Sequence, residues 1–180
     1  MALIPIEFRN VKYPSGEYKP TAGVSIAYVS NKEAMDKIDI VEQNFAKLQM
    51  NIQNKMKNLR KKENIVLHWE IGDEVYRFFK ETEDAGFLLE FKISTLADFI
   101  GMSRSFWYSH LKFRTMHPTK DSVSKNIAWF MYVELIKIQD DEKRKDLELQ
   151  IVDGKIKRPT ELRLLKSKEG LSEARSEILS

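Results

Sequence analysis

"LADFIGMSRSFWYSHLKF" runs from Leu96 to Phe113. It reads as two short apolar-striped segments hinged at Gly101. Leu96 and Ile100 sit four apart, on one face of a first helix, and Ala97 is small enough to let a second helix approach. Gly101 falls where a sharp turn demands a left-handed backbone, which a side chain disfavours. Met102 is expected to plug the turn toward the core, and Ser103 suits the N-cap of the next helix. Trp107 and Leu111, one turn apart, point back inward, leaving Arg104, Ser105, Tyr108, Ser109 and Lys112 outward. This is the pattern of a helix-turn-helix whose second helix is free to enter a DNA groove. An αα-hairpin inside any helical protein presents the same spacing.

The outward residue types suit that task. Ser103 and the first amides of the helix can hold a phosphate with help from the helix dipole. Arg104 can fork onto guanine O6 and N7, and Ser105 and Ser109 can reach base edges. Tyr108, Lys112 and Arg114 are phosphate-contacting types that set register more than sequence.

Charge is segregated along the chain. The 180 residues carry a net charge of +3, which alone decides little. The run "KMKNLRKK" holds Lys55, Lys57, Arg60, Lys61 and Lys62 with no acid. Between Arg104 and Lys125 the cations Arg104, Lys112, Arg114, Lys120 and Lys125 face Asp121 alone, with His110 and His117 in reserve. Acids concentrate in "KETEDAGFLLE" and "IQDDEKRKDLELQ". Segregation of this kind draws phosphate polymers more than net charge does. The Lys55–Lys62 run also fits a solvated helix face whose Lys and Arg stems cover apolar surface.

Composition narrows the class. Apolar residues make up 42% and charged residues 32%, which fits a folded domain with a wet surface. Only 7 Gly and 5 Pro occur, too few for a sandwich with a turn every few residues. No cysteine is present, so disulfides and thiolate-bound metal are excluded. The apolar stretch Val24 to Val29 is too short to span a membrane, and no basic start precedes a long apolar core. An intracellular, cytoplasmic protein is expected, nucleoid-associated if it binds DNA.

Residues 1–30 read as an extended arm or small hairpin around "YPSGE". From Asn31, with Ser30 or Asn31 as N-cap, the pattern turns helical. Ile38, Val41, Phe45, Leu48 and Ile52 repeat with three-four spacing. This stripe is either a dimer seam, giving a homodimer through 38–52, or an ordinary face packing on the protein's own body. "ENIVLHWEIGDEVYRFFKE" predicts a second helix, with Ile65, Trp69, Gly72, Val75 or Tyr76, and Phe79 on one face. "FLLEFKIS" is a strand or a buried helical turn. "SKNIAWFMYVELIKI" predicts a helix over 124–138, and "DDEKRKDLELQIVDG" another that stops at Asp153-Gly154. The expected organisation is an arm over 1–30, an amphipathic helix with a basic end over 31–62, a DNA-binding domain over 63–165, and a polar tail over 166–180. The expected fold is mainly α: a helical bundle containing a helix-turn-helix, preceded by a long helix and an extended or short β arm.

"GMSRSFWYSHLK" resembles the recognition segment of TetR-type repressors: a glycine, an apolar residue, Ser, a basic residue, then an aromatic and His. There the segment lies near the N-terminus; here it is mid-chain, so the likeness is confined to it. A longer resemblance is to the N-terminal helical domain of the YhcG-type family. It is carried by "LHWEIGDEV", by Ser103-Arg104, Trp107, Phe113 and Pro118 in "SRSFWYSHLKFRTMHP", and by "AWFMYVELIKIQDDEKR" and "IVDGKIKRPTEL", covering about residues 60 to 165. The resemblance implies a helix-turn-helix DNA binder. The nuclease-like domain that family members carry next is not expected here, since the sequence stops at Ser180.

His68, His110 and His117 form no H-x-x-x-H pair; His68 beside Trp69 reads as a packed helix residue and His117 before Pro118 as a loop end. No phosphate-cradling glycine loop or nucleophile elbow occurs. "EFK" at Glu90–Lys92, after Glu83 and Asp84, faintly echoes a Mg²⁺ nuclease, in which two carboxylates hold metal and a lysine steadies the attacking water. A solvated charge pattern explains it better. The expectation is a non-enzymatic binder of double-stranded DNA, without cofactor or metal. A protein-interaction adaptor partnering a nuclease is the alternative, and a Mg²⁺ nuclease comes last.

Overall fold

In a computed structural model of the chain, residues 3–24 and 32–165 are described, except for the side chains of 32–35. The expected cap at Ser30 or Asn31 and the tail 166–180 lie outside them. The protein is mainly α with one small sheet. It divides after Thr115 into two compact units, inside the stretch 63–165 that the sequence reads as one domain.

The first unit begins with a hairpin of β1 (Ile4–Lys12) and β2 (Tyr18–Val24). Gly16, at φ +86°, closes the turn, and the Tyr13 N–H meets the Glu17 carbonyl at 2.8 Å. Positive φ is the reason glycine stands there. Alternation puts Ile6 and Phe8 of β1 and Ala22 of β2 into the core. β2 is an edge strand, in the order β2-β1-β3. It contains Pro20, and its Ala22 N–H is taken by Glu42 Oε1 at 2.8 Å.

α1 (Lys32–Lys61) carries the stripe foreseen from its spacing. Ile38, Val41, Phe45, Leu48 and Ile52 are all buried in the unit's own core. Phe45 stacks on Phe8 with centroids 4.3 Å apart and touches Phe78 at 5.4 Å. The stripe is therefore spent on intramolecular packing, and the dimer seam expected at 38–52 is corrected: a second copy would find no apolar stripe there. What the sequence could not supply was the partner, a sheet built from residues 4–12 and 18–24.

α2 (Ile65–Asp84) starts at Asn64, whose Oδ1 accepts from the Val66 N–H at 2.9 Å. Its predicted face, Ile65, Trp69, Gly72, Val75 and Phe79, is buried. Gly86, at φ +95°, turns the chain into β3 (Phe87–Leu89), which runs parallel to β1 with Ile4 opposite Phe87. The short strand then hands over to α3 (Lys92–Ile100) and α4 (Arg104–Met116).

In the second unit, α5 (Trp129–Leu135) and α6 (Asp141–Val152) precede a helical segment at 159–165. The helix expected over 124–138 is shorter because Ser124 is bound otherwise: its N–H goes to the Tyr132 hydroxyl at 3.1 Å. That hydroxyl donates to Glu148 Oε1 at 2.9 Å. The ring of His117 stands edge-on to Tyr132 at 5.3 Å. Buried Glu134 receives both Nε and Nη2 of Arg163, at 3.0 and 2.7 Å, which holds its carboxyl below the usual range.

Candidate nucleic-acid interface

α3 and α4 are joined by Gly101, Met102 and Ser103. Gly101 has φ +90° and ψ −171°, a mirror-extended conformation open in practice to glycine alone. Met102 also has positive φ, +71°. It is 44% exposed and does not plug into the core as expected. Its side chain lies on the surface, lining a groove with Met56 and Ile100, while Leu96 and Trp107 are fully buried. The Trp107 indole N–H donates to the Gly101 carbonyl at 2.9 Å, fastening the turn to the second helix. Ser103 caps α4 as foreseen, its Oγ accepting from the Phe106 N–H at 3.2 Å.

α4 is held by its inner face. Trp107, His110 and Phe113 are buried, and the helix crosses α2 at Gly72. His110 Nδ1 lies 2.7 Å from the Phe106 carbonyl and so must carry hydrogen. Its Nε2 is then the acceptor for His68 Nδ1, 2.9 Å away. Burial pushes His68 down to about 3, with His110 adding to the effect. Burial likewise pushes His110 to about 4, against the pull of the Phe106 carbonyl. Both rings are neutral near pH 7, so His110 adds no positive charge to α4. No periodicity or spacing marks this pair, whose members lie 42 residues apart.

The outer face differs. Arg104, Ser105 and Tyr108 are exposed, Tyr108 at 60%. Ser109 and Lys112 are half-buried beside them. α4 contains no acidic residue. Lys57, Arg60, Lys61 and Lys62 are exposed at the C-terminal end of α1. Lys57 and Arg60 share a groove of about 200 Å³ with Met56, Ile100 and Met102, so the basic run lies beside the turn before α4.

Two expected phosphate contacts are corrected. Arg114 turns inward: its Nε donates to Asp73 Oδ1 at 2.6 Å, and its guanidinium lies 5.0 Å from the Trp69 ring and 4.8 Å from the Tyr76 ring. Lys55 sits between Glu70 at 3.2 Å and Glu74 at 3.6 Å. Both cations are neutralised by α2, whose carboxylates a one-dimensional reading could not bring near them.

The Glu90–Lys92 stretch does not present two carboxylates and a lysine on one strand. β3 ends at Leu89, and Lys92 opens α3 with its ammonium on Glu83 at 2.7 Å. Phe91 between them has φ +53° and is 72% exposed. Among the described residues no group of three or more His, Asp or Glu side chains could hold a metal ion. Nor is any helix there long and apolar enough to cross a membrane. No protein-family model, curated protein or solved structure matches the chain.

Proposed function

We propose that this chain binds double-stranded DNA, with α3, the turn and α4 acting as a helix-turn-helix and α4 entering the major groove. The observation that carries the reading is the outer face of α4, where Arg104, Ser105 and Tyr108 meet solvent on a helix without acids. Arg104, Ser105 and Ser109 read base edges. Ser103, Tyr108 and Lys112, together with Lys57, Arg60, Lys61 and Lys62, hold phosphates. The TetR-like and YhcG-like character of the sequence supports the same assignment. Such a protein acts as a repressor, a plasmid or virus maintenance factor or a DNA organiser, in the cytoplasm with the nucleoid, and no catalysis is assigned to it.

The test is a gel shift on random duplexes at low and moderate salt. Steep loss of affinity with salt is expected. Arg104→Ala should relax sequence preference by about 1–3 kcal/mol at one position, and Tyr108→Ala should weaken all sequences alike. Absence of duplex binding at low salt overturns the proposal. It would favour the adaptor reading, for which two exposed apolar side chains, Leu88 and the backbone-strained Phe91, are the specific support.

A further inference from the structure

The β1–β2 hairpin outgrows the core it belongs to. Phe8 and Ala22 are the last buried pair on its path outward. Beyond them the register continues through Arg9–Thr21, Asn10–Pro20, Val11–Lys19 and Lys12–Tyr18. Every residue from Arg9 to Lys19 is exposed. Four further pairs at about 3.4 Å per residue make an arm of roughly 14 Å before the turn. An exposed ribbon of this length adds little to its own stability.

The composition of the arm is specific. Within Arg9–Lys19 the cations Arg9, Lys12 and Lys19 accompany one carboxylate, Glu17, and Arg9 is paired with Glu7 just before the arm. Tyr13 and Tyr18 are 38% and 64% exposed. The pleat sends Lys12 and Tyr18 to one face and Val11 and Lys19 to the other. Each face then pairs a lysine with a tyrosine: the Lys12 ammonium lies 5.9 Å from the Tyr18 ring centre, and that of Lys19 lies 5.4 Å from Tyr13. Among the described residues the arm also has two exposed ion pairs, Arg9 with Glu7 and Lys19 with Glu17 at 3.6 Å, and the Tyr13 hydroxyl lies 3.4 Å from Thr21 Oγ1. Exposed pairs of this kind exchange readily for a phosphate.

A ribbon docking on a protein surface would be apolar on one side and polar on the other. This one is cationic and aromatic on both. That arrangement fits a slot whose two walls are both anionic, and the major groove of duplex DNA is such a slot, wide enough for a two-stranded ribbon.

We infer that the β1–β2 hairpin is a second DNA-contacting element, an arm that enters a groove of the duplex, with Lys12 and Lys19 on opposite phosphate walls and Tyr13 and Tyr18 against sugars and bases. The inference rests on the DNA-binding reading and adds to it a contact surface separate from α4.

The experiment uses the full chain and a fluorescently labelled random duplex, with affinity measured across a salt series. The Lys12→Ala/Lys19→Ala double variant should bind more weakly, and its log-affinity against log-salt slope should fall by about 2. The Tyr13→Ala/Tyr18→Ala double variant should lose affinity with the slope unchanged. Arg104→Ala should keep the slope of the hairpin contacts while losing sequence preference. A benzophenone amino acid at position 18 should crosslink to the duplex. If the wild-type chain binds while both double variants match it in affinity and slope, the arm is not a contact and the inference falls, leaving the α4 reading intact. Crosslinking at position 18 to protein in place of DNA overturns it as well. If the wild-type chain binds no duplex at all, the parent reading and this one fail together.

Discussion

A Cβ atom on Gly72 would stand 2.3 Å from the carbonyl oxygen of His110. The obstacle is backbone, so no rotamer change can relieve it. α2 and α4 are therefore as close as they are because position 72 has no side chain. Gly72→Ala should force the helices apart and lower stability by about 1–3 kcal/mol or more. Thermal melting measures this directly, and an unchanged melting temperature would mean that the two helices do not cross there.

Gly101 is a different case. A Cβ there would meet nothing within 4 Å, but φ is +90° and ψ is −171°. Gly101→Ala should cost about 1–3 kcal/mol from backbone strain alone. D-Alanine, introduced by semisynthesis, suits positive φ and should recover most of that loss. A D-alanine variant as unstable as the L-alanine one would contradict the assignment of the loss to backbone strain.

Arg114 acts as a structural residue. Its guanidinium is stacked between Trp69 and Tyr76 and bonded to Asp73. A planar cation in such a slot is not replaced by an ammonium. Arg114→Lys should therefore lower stability, by about 1–2 kcal/mol, and Arg114→Ala by more. Neither should flatten the salt dependence of DNA binding. A flattened slope at full thermal stability would restore Arg114 as a phosphate contact.

The histidine pair makes stability depend on pH. Burial keeps His68 near 3 and His110 near 4, below the ordinary value of 6.5. As pH falls below 6.5 the unfolded chain takes up protons that the folded chain refuses. The stability is whole above 6.5, declines below it, and is fully lost once pH has passed both lowered values. Denaturant midpoints should drop between neutral pH and about pH 5. Imidazole NMR signals of both rings should still read neutral at that lower pH, and charged rings there would refute the assignment.

Periodic features were legible in the sequence and long-range pairings were not. The face of α2 from Ile65 to Phe79 follows from spacing, because a helix buries what lies on one side. The Ser103 cap follows because its bond is three residues long. The stop at Gly154, with φ +72°, follows from glycine's tolerance of that backbone. The stripe of α1 was equally visible, yet its partner sheet was not, since nothing in Ile38 or Phe45 names Phe8. The same limit hid the His68–His110 bond and the carboxylates that take up Lys55 and Arg114. Exposure of Arg104 and Tyr108 was foreseen because the apolar residues flanking them fix which side of α4 is buried.

The outer margin of β2 has a consequence for how copies of this protein meet. Proline at 20 has no hydrogen to offer, and the amide two residues on is already engaged by Glu42. An incoming strand would find one donor missing and the next occupied, so edge-to-edge polymerisation into fibres is discouraged at the place where a three-stranded sheet is most open to it. Glu42→Ala would free that amide and make the chain more prone to self-associate on storage, without touching the face of α4.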